Sequence, residues 1–183
     1  MADHEKILDV FLAEYGQLKA EQAARIGFRD NLLYVTLGVF GGVASFAVSD
    51  ADNVYAFLII PWVCLILGWT YLVNDQKISA LGEYIRHDLV ERVRKQTGYA
   101  TVEAIFGWEI DHRSDRRRRR RKLQQLVIDE ITFVGSGVVA IVAFWVVAAQ
   151  IPILVLLLSL VEMLLLLVLG YEIAVYADLA KGW

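Results

Sequence analysis

One carboxylate stands in the middle of an apolar run. The stretch Ile153–Gly170 reads ILVLLLSLVEMLLLLVLG, and Glu162 is its only charge. At ~1.5 Å per helical residue this run spans ~27 Å, close to the ~30 Å hydrocarbon core of a bilayer. A charge at that depth costs about 2.5–3.5 kcal/mol on insertion scales, so Glu162 is expected to face protein or water rather than lipid. Three chemistries suit such a group. It can be protonated and hydrogen-bonded to a hydroxyl such as Ser159, Ser136 or Ser45, a structural role. It can line an aqueous path, where copies from several subunits form an acidic ring that favours cations. It can couple proton movement to transport. On a helix, Val155, Leu158, Ser159, Glu162, Leu165, Leu166 and Leu169 share one face, and only Ser159 and Glu162 on it are polar.

The second group is a run of six arginines: Arg116, Arg117, Arg118, Arg119, Arg120 and Arg121. Guanidinium forks suit phosphates, whether lipid headgroups or a soluble polyanion. If the helix is straight, Arg121 lies ten residues before Ile131 and Arg116 fifteen. That is ~15 to ~22 Å beyond the hydrocarbon edge, so most of the run stands above headgroups only ~5–8 Å deep. There it meets acids of neighbouring helices (Glu14, Glu21, Glu83 or Asp88) or a phosphate-bearing ligand.

Catalytic and metal chemistry are not expected. The chain has no glycine-rich phosphate loop, H-E-x-x-H or G-x-S-x-G. His4, His87 and His112 lack ligand spacing, and the one cysteine, Cys64, excludes a disulfide framework. No cofactor is implied.

The elements that position these groups read as membrane helices. The 183 residues are 57% hydrophobic, with a mean hydropathy of +0.50, too apolar for an ordinary soluble domain. Four windows can span a bilayer: Leu32–Val48, Val54–Val73, Ile131–Ala149 and Ile153–Gly170. None contains Lys, Arg or His, so Glu162 has no cationic partner at its depth. The segment 74–125 carries thirteen of the eighteen Lys and Arg, and the connections Ser49–Asn53 and Gln150–Pro152 carry none. Both termini and the middle segment are therefore expected in the cytosol and the two short loops outside. No cleavable signal peptide is read at the N-terminus.

The expected fold is all-α, with four transmembrane helices in two antiparallel hairpins extended into a cytosolic helical bundle. Residues 1–30 form a cytosolic N-terminal helix, its stripe Ile7, Leu8, Phe11, Tyr15, Leu18, Gln22 and Ile26 recurring with helical period. It runs into the first hairpin, 31–73, with Gly16 and Gly27 as points of weakness. Residues 74–125 supply a cytosolic helix striped by Ile78, Leu81, Ile85, Leu89 and Val93, a loop, and the arginine-rich helix. The second hairpin is 126–170, and 171–183 is a cytosolic tail. Thr97-Gly98 reads as a helix stop, Phe106-Gly107-Trp108-Glu109 as a turn with exposed aromatics, and Ser114 as a helix cap. Gly38 and Gly42 form a G-x-x-x-G pair with Ser45 on the same face, a pattern for close helix packing. Gly135, Ser136, Gly137 and Ala140 suggest the same in the third span. Pro61 is a candidate kink, and Trp62 and Trp69 are candidate packing or interface anchors.

Four stretches carry a family likeness: EYGQLKAEQAARIGFRDNLL, IPWVCLILGW, NDQKISALGEYIRHDL and the later GWE. Their order resembles small prokaryotic four-span membrane proteins, similar to membrane effectors encoded beside nucleotidyltransferases in antiphage systems, including the Hailong type. The resemblance covers about half the chain, in motifs without known chemistry. It implies an oligomeric channel controlled from the cytosol by a nucleotide or short oligonucleotide. Neither Glu162 nor the arginines belong to those motifs. The expected function is thus a homo-oligomeric ion channel in the lipid bilayer, gated through its cytosolic helices. A proton-coupled small-molecule exporter using Glu162 and a non-conducting membrane scaffold are the alternatives. Small multidrug exporters are also four-span proteins with an intramembrane Glu, but they carry it in the first span and lack the long basic segment.

Overall fold

Helical periodicity dominates the sequence, and in the computed structural model every regular element is a helix. The structure describes residues 2–98, 106 and 118–177, and among them there is no strand.

Helix α1, Ala2–Ala47, is 46 residues long. No proline interrupts it, and Gly16 and Gly27 do not break it; each glycine costs about 1 kcal/mol against alanine, less than the surrounding ladder supplies. It ends where Ser49 turns its hydroxyl back onto the Phe46 carbonyl at 2.7 Å. Asp50 then accepts from the Asp52 N–H at 3.2 Å and caps a 3-10 segment, Ala51–Leu58. Helix α2 is Ile59–Tyr84. Pro61 is its third residue, and it lies just where the 3-10 segment gives way to α-helix. A π-helical turn, Ile85–Leu89, joins α2 to α3, Val90–Thr97. The expected stop is formed by Gly98, whose φ of 70° is the left-handed conformation glycine adopts freely, and whose N–H bonds the Arg94 carbonyl.

Helix α4, Arg118–Asp129, continues through a second π-helical segment, Glu130–Gly135, into α5, Ser136–Val147. Extended backbone at Ala148 ends it. The Pro152 carbonyl accepts the first amides of α6, Ile153–Tyr176. At the other end of α6, Lys122 donates to the Ala177 carbonyl at 3.3 Å, a cation placed where a helix C-terminus favours one. Among the described residues, four helical stretches are long and apolar enough to cross a membrane: Lys6–Ala47, Ala51–Thr97, Arg120–Val147 and Ile153–Tyr176.

The chain divides into two compact units, and α1 contributes to both. One unit comprises 1–28 and 74–118. In it Ile85, Leu89, Val90 and Val93 are buried, while Leu8, Phe11, Tyr15 and Leu18 are half-buried. The two stripes run antiparallel. Tyr84 donates to Glu14 at 2.6 Å, and Asn74 donates to the Arg25 carbonyl at 2.7 Å. The bond to Glu14 pushes the Tyr84 phenol above its ordinary value, with burial adding to the effect. Phe106, expected to be exposed, is half-buried and stacks on Tyr15 with ring centroids 4.0 Å apart. The rest of that expected turn and the Ser114 cap lie outside the described residues.

The other unit comprises 29–73 and 119–183. Its core includes Ile60, Cys64, Leu65, Leu72, Phe133, Ile141, Phe144, Leu166 and Leu169. Two glycines let helices meet there. A Cβ on Gly68 would come 2.6 Å from Leu169 Cδ2 and 3.2 Å from Phe133 Cβ. A Cβ on Gly137 would come 2.7 Å from Leu166 Cδ1. The close packing expected at Gly38, Gly42 and Ser45 is not formed within the chain. All three are exposed, and a Cβ on either glycine meets nothing within 4 Å. Helix α1 buries Leu32, Thr36 and Ala47 instead.

Candidate intramembrane site

Glu162 sits on the face of α6 that also carries Ser159, Leu166, Leu169, Gly170 and Ile173, all buried. Its relative exposure is 0%. The face expected to line a passage is therefore covered by helices of its own chain, while Leu158 and Leu165 of the expected set are exposed. The small residues opposite, Gly68 and Gly137, are what permit the close approach.

Neither Glu162 oxygen has a hydrogen-bond partner. The hydroxyls proposed for it are committed elsewhere or open. Ser159 donates to the Leu156 carbonyl at 2.9 Å and accepts from the Trp145 indole at 2.9 Å. Ser136 donates to the Ile131 carbonyl at 3.3 Å. Ser45 is exposed on α1. The polar group that faces Glu162 is the Trp62 indole, outside hydrogen-bond geometry. Trp62 is 42% exposed, so it joins the buried acid to the outside of the unit. A buried carboxyl faced by one indole N–H outside hydrogen-bond geometry is a costly arrangement.

A second carboxyl was not singled out in the sequence. Glu130 opens the π-helical segment, and its side chain lies against α6: a Cβ on Gly170 would come 3.0 Å from Glu130 Oε2. Gly170 leaves the room it needs. Beside it Asp129 is buried and accepts from Gln125 at 2.8 Å, and Gln125 also donates to the buried Tyr71 hydroxyl at 2.6 Å. Gln125, Asp129 and Tyr71 thus form a small polar cluster, and Glu130 follows Asp129 in the chain. Position in the sequence hid Glu130, because an acid flanking an apolar run reads as its boundary. Helical π turns are enriched at functional positions, and nothing in a single sequence marks one.

Of the arginine run, Arg116 and Arg117 lie outside the described residues. Arg118 and Arg119 begin α4, and Arg120 and Arg121 are exposed. Among the described residues no arginine hydrogen-bonds Glu162. Among the described residues no group of three His, Cys, Asp or Glu is placed to hold a metal ion.

Among the described residues these features are helices alone, four of them fit to span a membrane, with a carboxyl buried inside one helical unit. No family model, no curated protein and no solved structure matches the chain.

Proposed function

We propose that the chain is a multi-pass membrane protein that assembles as a homo-oligomeric channel and passes small cations by way of Glu162. The observation that carries this reading is Glu162 itself, wholly buried in an apolar unit with neither oxygen bonded. An intramembrane acid is a functional group by default, and the one polar group facing this acid is the Trp62 indole. The path runs along the buried face of α6 within each chain rather than along an axis between chains. The helices of 1–28 and 74–97 form a cytosolic bundle that gates the path. The arginines at the start of α4 take a phosphate-bearing ligand, a nucleotide or short oligonucleotide. The likeness to membrane effectors of antiphage systems supports a defence role for such a channel.

Planar-bilayer recordings test it. Glu162→Gln keeps the volume and is expected to assemble normally while lowering cation conductance; Glu162→Lys is expected to prevent assembly. Unchanged conductance and selectivity in the Gln variant removes Glu162 from the path. The proton-coupled exporter is favoured by one specific observation: a single chain encloses the whole carboxyl site. Substrate flux driven by a pH gradient, without ohmic current, selects that reading.

A further inference from the structure

We propose that Leu166, seated on Gly137, is an apolar plug that separates two stations of the ion path, Glu130 and Glu162. The inference rests on the reading of Glu162 as part of that path.

The geometry is set by α6. Glu162, Leu166 and Gly170 follow one another four residues apart, so they stack on one face of the helix. Glu130 packs on Gly170, and Glu162 is buried eight residues earlier. The two levels on α6 are ~12 Å apart, with Leu166 midway. Leu166 is fully buried, and Gly137 offers it a seat without a side chain; a Cβ there would come within 2.7 and 2.9 Å of its two methyl carbons. Leu169 is seated in the same way on Gly68 and Phe133. Phe133, Ile141, Leu166 and Leu169 all have 0% exposure, so the interval between the carboxyls is apolar and closely packed. An apolar constriction of this kind excludes water and ions while closed, and conducts when its side chains withdraw. Gly137 therefore has a role beyond helix packing: it holds the plug shut. Glu130 has one too, as the acid that meets the cation on the far side of the plug from Glu162.

The test uses the full chain in phosphatidylcholine–phosphatidylglycerol vesicles loaded with potassium, with efflux read by a fluorescent indicator. Leu166→Ala removes the plug and is expected to raise ligand-free efflux about tenfold over wild type, a barrier lower by about 1.4 kcal/mol. Adding Glu162→Gln or Glu130→Gln to it is expected to reverse most of that rise. Should Leu166→Ala not fold, Leu166→Val, one methylene shorter, is expected to raise efflux in the same direction, about threefold. A folded Leu166→Ala or Leu166→Val chain as tight as wild type overturns the plug. A leak that neither Gln substitution reduces is a packing defect and overturns it too. Glu162→Gln in the wild-type background separates the two readings: if it lowers efflux while Leu166→Ala does nothing, Glu162 stays on the path and only the plug falls.

Discussion

Glu162 and Ser159 lie one turn apart on α6 and meet opposite circumstances. Ser159 is saturated: it donates to the Leu156 carbonyl and accepts from the Trp145 indole. Removing it leaves that indole without its acceptor, which costs about 1–3 kcal/mol in a buried setting. Ser159→Ala is therefore expected to lower the midpoint of thermal unfolding in detergent while leaving ion selectivity unchanged. A selectivity change without a stability change would reverse the roles given to the two residues. In the other unit, Tyr84 donates to Glu14, and that bond raises the phenol's pKa. A group with a raised folded pKa contributes stability that is complete below its ordinary value, here 10.0. The contribution is lost as pH rises through the raised value. Tyr84→Phe should therefore flatten the alkaline limb of a stability–pH profile, and an unchanged limb would place the loss elsewhere. At this scale the sequence was legible where a residue breaks its surroundings. Glu162 stands alone among leucines and could be read directly. Glu130 borders polar sequence, so only the fold reveals that it turns inward.

Among the elements, long helices were readable and their rotation was not. The period of residues 7–26 and 78–93 marks two helical stripes linked by the Tyr84–Glu14 and Asn74–Arg25 hydrogen bonds, with Ile7 and Ile26 exposed, and Gly98 stops α3 where expected. The second apolar window opens with a 3-10 segment, Ala51–Leu58, that no distinct sequence pattern marks, and Pro61 falls just where α2 takes over at Ile59. The glycines illustrate the limit best. Gly38 and Gly42 have the spacing of a packing motif and are open, whereas Gly68 and Gly137 carry the close contacts. Spacing says that a face is small, and only the neighbour's position says that it is used. Gly68→Ala is expected to cost about 1–3 kcal/mol through overpacking against Leu169 and Phe133. Gly38→Ala should leave the chain's own fold intact and add about 0.5–1 kcal/mol of helix propensity. Thermal unfolding of both in one detergent compares them, and the opposite order would mean that α1 packs through its glycine face.

For the whole molecule, charge decides orientation. Thirteen of eighteen Lys and Arg lie in 74–125 and none in the short connections, and on that ground we propose a cytosolic side for the arginine run and both termini. Impermeant maleimide labelling of intact cells tests this on a quiet background, because the one native cysteine, Cys64, is buried. Asp52→Cys is expected to label from outside and Arg117→Cys only after permeabilisation; the reverse pattern would invert the topology and move the arginines away from any cytosolic ligand. The same orientation frames the ligand. In the proposed orientation the arginines would stand above the headgroups, open to soluble phosphates as well as lipid, and binding through several phosphates weakens steeply with salt. Changing Arg116–Arg121 to Gln should abolish salt-sensitive binding of nucleotides and short oligonucleotides by the detergent-purified chain. A wild-type chain that binds none of these at low salt leaves the run to lipid or to its neighbours' carboxylates, and the gate must then answer to something other than a phosphate.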